Sequence, residues 1–394
     1  VSIPAETTSV IERKRYDHFQ VARGIACLMV FANHVSGLLS EGLNSETTSS
    51  GFAPFLVPMG FPWVWLFLVL SGFLLTKGFV IGRFSLDSAG IKHFIIARLH
   101  RLLPLLWCVS ALWFALYITG IWSPHLPAFD WKREIGVALA FPWLPYFQST
   151  NAISSMNSPV WSAIIEIHYS LLLPLLFVWI GLSAKKMRWI LVAWAFGIGA
   201  LACTIFLFKS WDIFPLVYGN HLYNLGFFIA GGILSLRSPG IYIKRLPWSI
   251  VIIFTVASLL FVQYEAFFYL NATLALSPLL MLPVWCIVVA RCDDQYQASV
   301  PTKFSGLWRG MNLLSILETL GMMSYSLYLA HKPISYILIE KLHLTRWTST
   351  IPELVVMTFL CLLLSLPLFG VLFIFIERRF RMHSAPQLTN SRMI

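Results

Sequence analysis

Residues 16–39 read YDHFQVARGIACLMVFANHVSGLL. The stretch is long and apolar enough to cross hydrocarbon as a helix, yet it carries Asp17, Arg23 and His34. Arg23 and His34 are separated by about three helical turns, so they share one face. An ionisable group in a membrane helix is expensive, and it normally faces a protein interior or a wet cavity. His34 is therefore the first candidate for chemistry. Counted from Gln20, it lies about 20 Å into the helix, past mid-depth if the helix starts in the cytoplasm. A neutral imidazole there suits removal of a hydroxyl proton at ordinary pH. The blander reading is a histidine hydrogen-bonded to a neighbouring helix for packing.

The rest of the chain has the same character. Hydrophobic residues make up 58% and charged residues 11% of the 394, too little charge to cover a soluble globule. The apolar residues gather into runs of about twenty, the length that spans a bilayer. The fold class is all-α, a polytopic integral membrane protein, read as one transmembrane domain over 1–394 with an ordered core at about 16–380. The formal charge of +11 is spread over loops rather than clustered, which argues for the positive-inside bias and against nucleic acid. Cys27, Cys108, Cys203, Cys286, Cys292 and Cys361 form no CxxC pair and read as buried hydrophobes, so neither a disulfide nor a metal is expected. The first residues show no signal-peptide pattern.

Taken in order, Arg13-Lys14-Arg15 reads as a cytoplasmic anchor before the first span. The connection 40–54 is acidic and should face outward. A second span covers about 55–76, and Lys77, Arg83, Lys92, Arg98 and Arg101 then form the densest basic loop, placed inside. A third span covers about 102–122. The apolar piece 134–147 is short and carries Pro142 and Pro145. It is read as an interfacial or re-entrant segment on the outer side. Further spans at about 160–182, 189–208, 217–236, 248–264, 268–290, 313–339 and 354–377 bring the total to ten crossings with both termini cytoplasmic. Most Lys and Arg then fall in or beside cytoplasmic segments.

Other polar groups stand where lipid would not tolerate them. Arg98 and Arg101, in ARLHRLLP, are three apart on one face at the cytoplasmic boundary, and two guanidinium forks suit phosphate oxygens. Topology and snorkelling explain them equally well. Glu166, in SPVWSAIIEIHYSLLLP, lies towards the outer end of its span with Ser162 and Ser170 on its face, while His168 points elsewhere. Its carboxylate has three open roles: orienting His34, binding an acceptor hydroxyl, or pairing with an arginine as structural glue. Ser71-Gly72 are small residues that permit close approach of a helix or a ligand, with helix packing the plainer reading. His331-Lys332-Pro333 reads either as the lining of an acceptor entrance or as an interfacial anchor. No GxSxG, Walker A, GxGxxG or HExxH sequence occurs, which removes the usual hydrolases, ATP-driven pumps, dinucleotide enzymes and zinc proteases.

These residues resemble the acyltransferase-3 family of membrane proteins that O-acylate carbohydrates. The matching pieces come in order: Asp17, Arg23-Gly24 and His34, then FLVLSGF around Ser71, then Arg98, Arg101 and Pro104. Trp161-Ser162 with Glu166, Tyr169 and Pro174 follow, then Tyr325 to Leu329 with His331 and Pro333, and finally Glu377-Arg378. One departure is HFQVA between Asp17 and Arg23, where a leucine- and glycine-rich stretch is usual.

The resemblance implies a ten-helix fold in which cytoplasmic acyl-CoA, often acetyl-CoA, modifies a sugar hydroxyl on the other side of the membrane. It also implies that His34 is catalytic and that Arg98 and Arg101 serve the donor. Asp17, Arg23 and Glu166 are assigned with His34 to the catalytic set. Ser71, Trp161, Ser162 and His331 join the arginines in substrate binding. No cofactor is expected to be tightly bound. Expected partners are acyl-CoA, a carbohydrate or glycolipid acceptor and membrane lipids. No esterase-like domain is seen, so the chain either transfers alone or uses a separate extracytoplasmic partner. The expected location is the inner, cytoplasmic membrane of a bacterium. The rival readings are a proton-coupled flippase or transporter using His34 and Glu166 as a relay, and a polymerase or ligase of lipid-linked sugars.

Overall fold

The computed structural model describes residues 17–40, 59–121, 131–140, 157–208, 220–237, 246–267, 271–297 and 312–383, and among them there are helices and no strand. The anchor Arg13-Lys14-Arg15 and the acidic connection after Ser40 lie outside the described residues.

Helix α1 (His18–Leu39) begins where the Asp17 carboxylate accepts hydrogen bonds from the Phe19 and Gln20 amides at 2.9 and 3.2 Å. An Asp at this position satisfies donors that the first helical turn leaves over. Helix α2 (Phe61–Val80) starts with Pro62 in its first turn, where a missing N–H costs nothing. Helix α3 (Ser88–Ile118) is capped by Asp87, which accepts from the Gly90 amide at 2.7 Å. The expected basic loop is therefore mostly helix. Only residues 81–87 form a turn, and Lys92, Arg98 and Arg101 stand on α3.

The segment expected on the outer side begins in α4 (Trp131–Ala138), eight residues and too short to cross. Pro142 and Pro145 lie outside the described residues. Then come α5 (Trp161–Ile180), α6 (Ala184–Phe208), α7 (His221–Leu236), α8 (Trp248–Phe267) and α9 (Asn271–Gln297). The span expected at 313–339 is broken into α10 (Leu313–Met322) and α11 (Ser324–Lys341), bent by 83°. The last is α12 (Ile351–Leu372), continuing through a π turn (Phe373–Glu377) into α13 (Arg378–His383).

The break and the π turn have one cause in common. Glu377 is 1% exposed and accepts hydrogen bonds from the Ser326 amide at 3.0 Å and the Ser326 hydroxyl at 2.6 Å. Its carboxylate does for α11 what an N-cap side chain does, but it comes from another helix. An apolar run read by hydropathy alone carries no mark of this.

Among the described residues seven helices are long and apolar enough to cross a membrane: α1, α2, α3, α5, α6, α9 and α12 with its extension. The bent pair α10–α11 makes eight if it is one span, while α7 and the part Trp248–Tyr264 of α8 are shorter apolar stretches. At 16 residues α7 is about 24 Å long, less than the hydrocarbon thickness of about 30 Å. These two helices account for the difference from ten crossings.

Helix α1 lies at the centre and packs against α2, α9, α10, α11 and α12. Two crossings are set by glycine pairs. A Cβ on Gly72 would lie 2.0 Å from the Phe228 carbonyl oxygen of α7, and one on Gly231 would lie 2.1 Å from that of Val69 on α2. Likewise, a Cβ on Gly24 would lie 2.0 Å from the Leu317 carbonyl oxygen, and one on Gly321 1.8 Å from that of Gln20. Small residues let these backbones touch, which fixes Ser71 and Arg23 relative to their neighbours.

Candidate active site

Helices α1, α2, α3, α5 and α11 line a small cleft with a cavity of about 50 Å³. Arg23 of α1, Ser71 of α2, Arg101 of α3, and Ser162 and Glu166 of α5 all line it. The start of α11 closes it with Ser324, Tyr325 and Tyr328. Apolar walls with a few convergent polar groups are the usual character of a small-molecule site.

Glu166 is the hub on one side. Its Oε1 accepts from Arg98 Nη2 at 2.9 Å and from the Ser71 hydroxyl at 2.9 Å. Of its three open roles, the geometry selects the arginine pair. Arg98 is 6% exposed, and a guanidinium so buried needs its counter-charge. The two arginines of the expected pair therefore have different surroundings. Arg98 lies about 15 Å along α3 and is turned towards α5. Arg101, one turn further, lines the cleft. In the turn 81–87, burial and the neighbouring Arg101 lower the Arg83 guanidinium from its usual range, so the positive charge here extends beyond α3.

The second cluster is deeper in the helix bundle. The His34 and His331 rings have centroids 5.0 Å apart, tilted by 39°. Nδ1 of His331 lies 2.6 Å from the Tyr328 carbonyl oxygen. A carbonyl only accepts, so Nδ1 carries the proton and Nε2 the lone pair. His331 is fully buried, and among the described residues its Nε2 has no hydrogen-bond partner. Tyr328 belongs to both clusters. Its hydroxyl accepts from Ser162 at 2.6 Å and donates to the Pro159 carbonyl at 2.9 Å, while its carbonyl holds His331. His34 stands behind this wall and does not itself line the cleft.

Other expectations resolve as follows. The Asp17 carboxylate caps α1 and is not part of the cleft. Trp161 is buried at the start of α5 but outside the lining, whereas Ser162 is inside it. Ser71 faces the cleft, while Gly72 packs closely on α7, as the helix-packing reading of that dipeptide expects. His168 does point elsewhere: it meets Nε2 of His221 at 2.7 Å and the Ala140 carbonyl at 2.6 Å. Tyr325 and Tyr328 were missed as site residues. The Tyr325 hydroxyl donates to the Leu102 carbonyl at 2.9 Å. Their spacing of three from each other and from His331 is a one-face helical pattern that was available in the sequence. Among the described residues no group of His, Cys, Asp or Glu could hold a metal ion.

The acyltransferase-3 family model, an acyltransferase domain, matches residues 16–370. The chain belongs to the acyltransferase-3 family. The match takes in the whole cleft and both histidines, so the polar groups of this multi-pass membrane acyltransferase lie inside the family's own domain. No curated protein and no solved structure matches the chain.

Proposed function

We propose that this acyltransferase moves an acyl group, in the first instance acetyl, from cytoplasmic acyl-CoA to a hydroxyl of an extracytoplasmic carbohydrate or glycoconjugate. The proposed setting is the inner membrane of a bacterium, with both termini in the cytoplasm. The single observation that carries this reading is the cleft itself: Arg23 and Arg101 face a cavity whose far wall, Tyr328, leads to a buried histidine.

In this reading Arg101 meets the anionic part of the donor, while Arg98 fixes Glu166. The thioester threads into the cleft and past Tyr328, which stands between the cleft and His34. His34 takes the proton from the acceptor hydroxyl, the oxygen attacks the thioester carbon, and a C–O bond forms as the C–S bond breaks. The proton then leaves His34 with the thiol of CoA. Arg23 stabilises the negative charge on the carbonyl oxygen. Transient transfer of the acyl group to the histidine is the main variant. A flippase has less support, because the family to which the chain belongs is one of acyltransferases.

The test uses purified protein with labelled acetyl-CoA, together with mass spectrometry of glycans from cells with and without the gene. Consumption of acetyl-CoA and a matching loss of O-acyl groups are expected. Protein that neither binds nor consumes acyl-CoA contradicts the reading.

A further inference from the structure

Two histidine pairs in this protein have ring centroids 5.0 Å apart. In the pair His168–His221 the rings are tilted by only 19° and lie 2.7 Å apart, nitrogen to nitrogen. In the pair His34–His331 the tilt is 39° and His331 Nε2 has no partner. The second pair already has the separation of a hydrogen-bonded one. The last side-chain torsion of His34 is broad for an imidazole, and turning about it is the motion that would aim a ring N–H at Nε2.

A buried acceptor without a donor costs free energy until it is met. The rings around His331 are Phe31, Tyr328 and His34. Phe31 has no donor, and the Tyr328 hydroxyl donates to Pro159. Lys332 acts electrostatically on both imidazoles. The His34 ring N–H is a donor that this geometry leaves for Nε2; the Ser335 hydroxyl, one turn further along α11 and without a partner among the described residues, is another.

We propose that His331 is the positioning residue for His34: its Nε2 accepts a hydrogen bond from the His34 ring N–H, so the other His34 nitrogen holds the lone pair that takes the acceptor proton. The series runs from the Tyr328 carbonyl through His331 to His34, and it fixes the tautomer of both rings. It is the orienting role of the third member of a catalytic triad, performed by an imidazole backed by a peptide carbonyl. His331 keeps its Nδ1 proton throughout. The inference rests on His34 being the base.

The experiment compares His331→Phe, His331→Gln and His331→Asn in purified protein that elutes as folded, with acetyl-CoA as donor. His331→Phe is expected to lower kcat by about 100-fold or more with KM for acetyl-CoA little changed. In His331→Gln the amide oxygen reaches the place of Nε2 and should restore at least a tenth of the rate. In His331→Asn the amide reaches only the place of Nδ1 and should not. Wild-type kcat in His331→Phe, or His331→Asn equalling His331→Gln, overturns the proposal. If His331→Phe does not fold, the order of the other two decides. His34→Ala is assayed alongside. If it is inactive while His331→Phe is fully active, only the positioning role falls. If it is active, the base assignment and the positioning role fall together.

Discussion

Glu166 and Arg98 lie 68 residues apart in sequence and share a 2.9 Å ion pair. Removing one partner leaves a buried charge uncompensated. Glu166→Leu or Arg98→Leu alone should destabilise the protein by about 3–5 kcal/mol, while the double substitution should cost less than either. Thermal unfolding in detergent measures this, and the ordering of single and double variants is the check. Arg101 has a different task. Arg101→Ala should raise KM for acyl-CoA about 10- to 100-fold with little change in unfolding temperature. The sequence placed both arginines on one face of one helix, which was true of the backbone. It carried no signal for which of them would meet a carboxylate on α5, because that depends on how two distant helices are rotated against each other. Asp17 shows the same limit: the residue type was visible, but its use as the cap of α1 depends on where the helix begins.

At the scale of elements, the break between α10 and α11 was illegible because neither a proline nor a charged residue marks Met323 in the sequence. The partner that stabilises it is also far away in sequence, on the π turn. Glu377→Leu should leave the Ser326 amide buried without an acceptor and cost about 1–3 kcal/mol, read as a lower unfolding temperature. It should also disturb the cleft, since Ser324 and Tyr325 of the same helical start line it. Helix α3 offers a pH test at its exposed end. The Gly90 amide and the Ser85 hydroxyl hold the Asp87 carboxyl below its usual range. A carboxyl lowered in the folded state stabilises above its unfolded value and loses that contribution as pH falls through the folded value. Amides at the start of α3 should therefore stay protected down to about pH 4 and exchange faster below it. In Asp87→Ala they should exchange faster at neutral pH and lose this dependence.

For the whole molecule, composition and run length were enough to establish an all-helical membrane protein, because a bilayer fixes how many apolar residues a crossing needs. Most span limits came within a few residues of the observed helices. The largest departure was α3, which begins at Ser88, well before the expected start, since basic residues on a helix look like a loop to hydropathy. The pairing of α2 with α7 and of α1 with α10 rests on glycines whose neighbours are distant in sequence, so helix order was legible and helix contact was not. The organisation that results has a cationic cleft joined to a buried histidine pair through one tyrosine.

The most direct test of the account is the rate of acyl transfer from labelled acetyl-CoA by purified His34→Ala, measured beside its elution profile and unfolding temperature. The account predicts a loss of at least about 10³-fold with both physical properties unchanged. A folded His34→Ala protein that transfers the acyl group at the wild-type rate would contradict it.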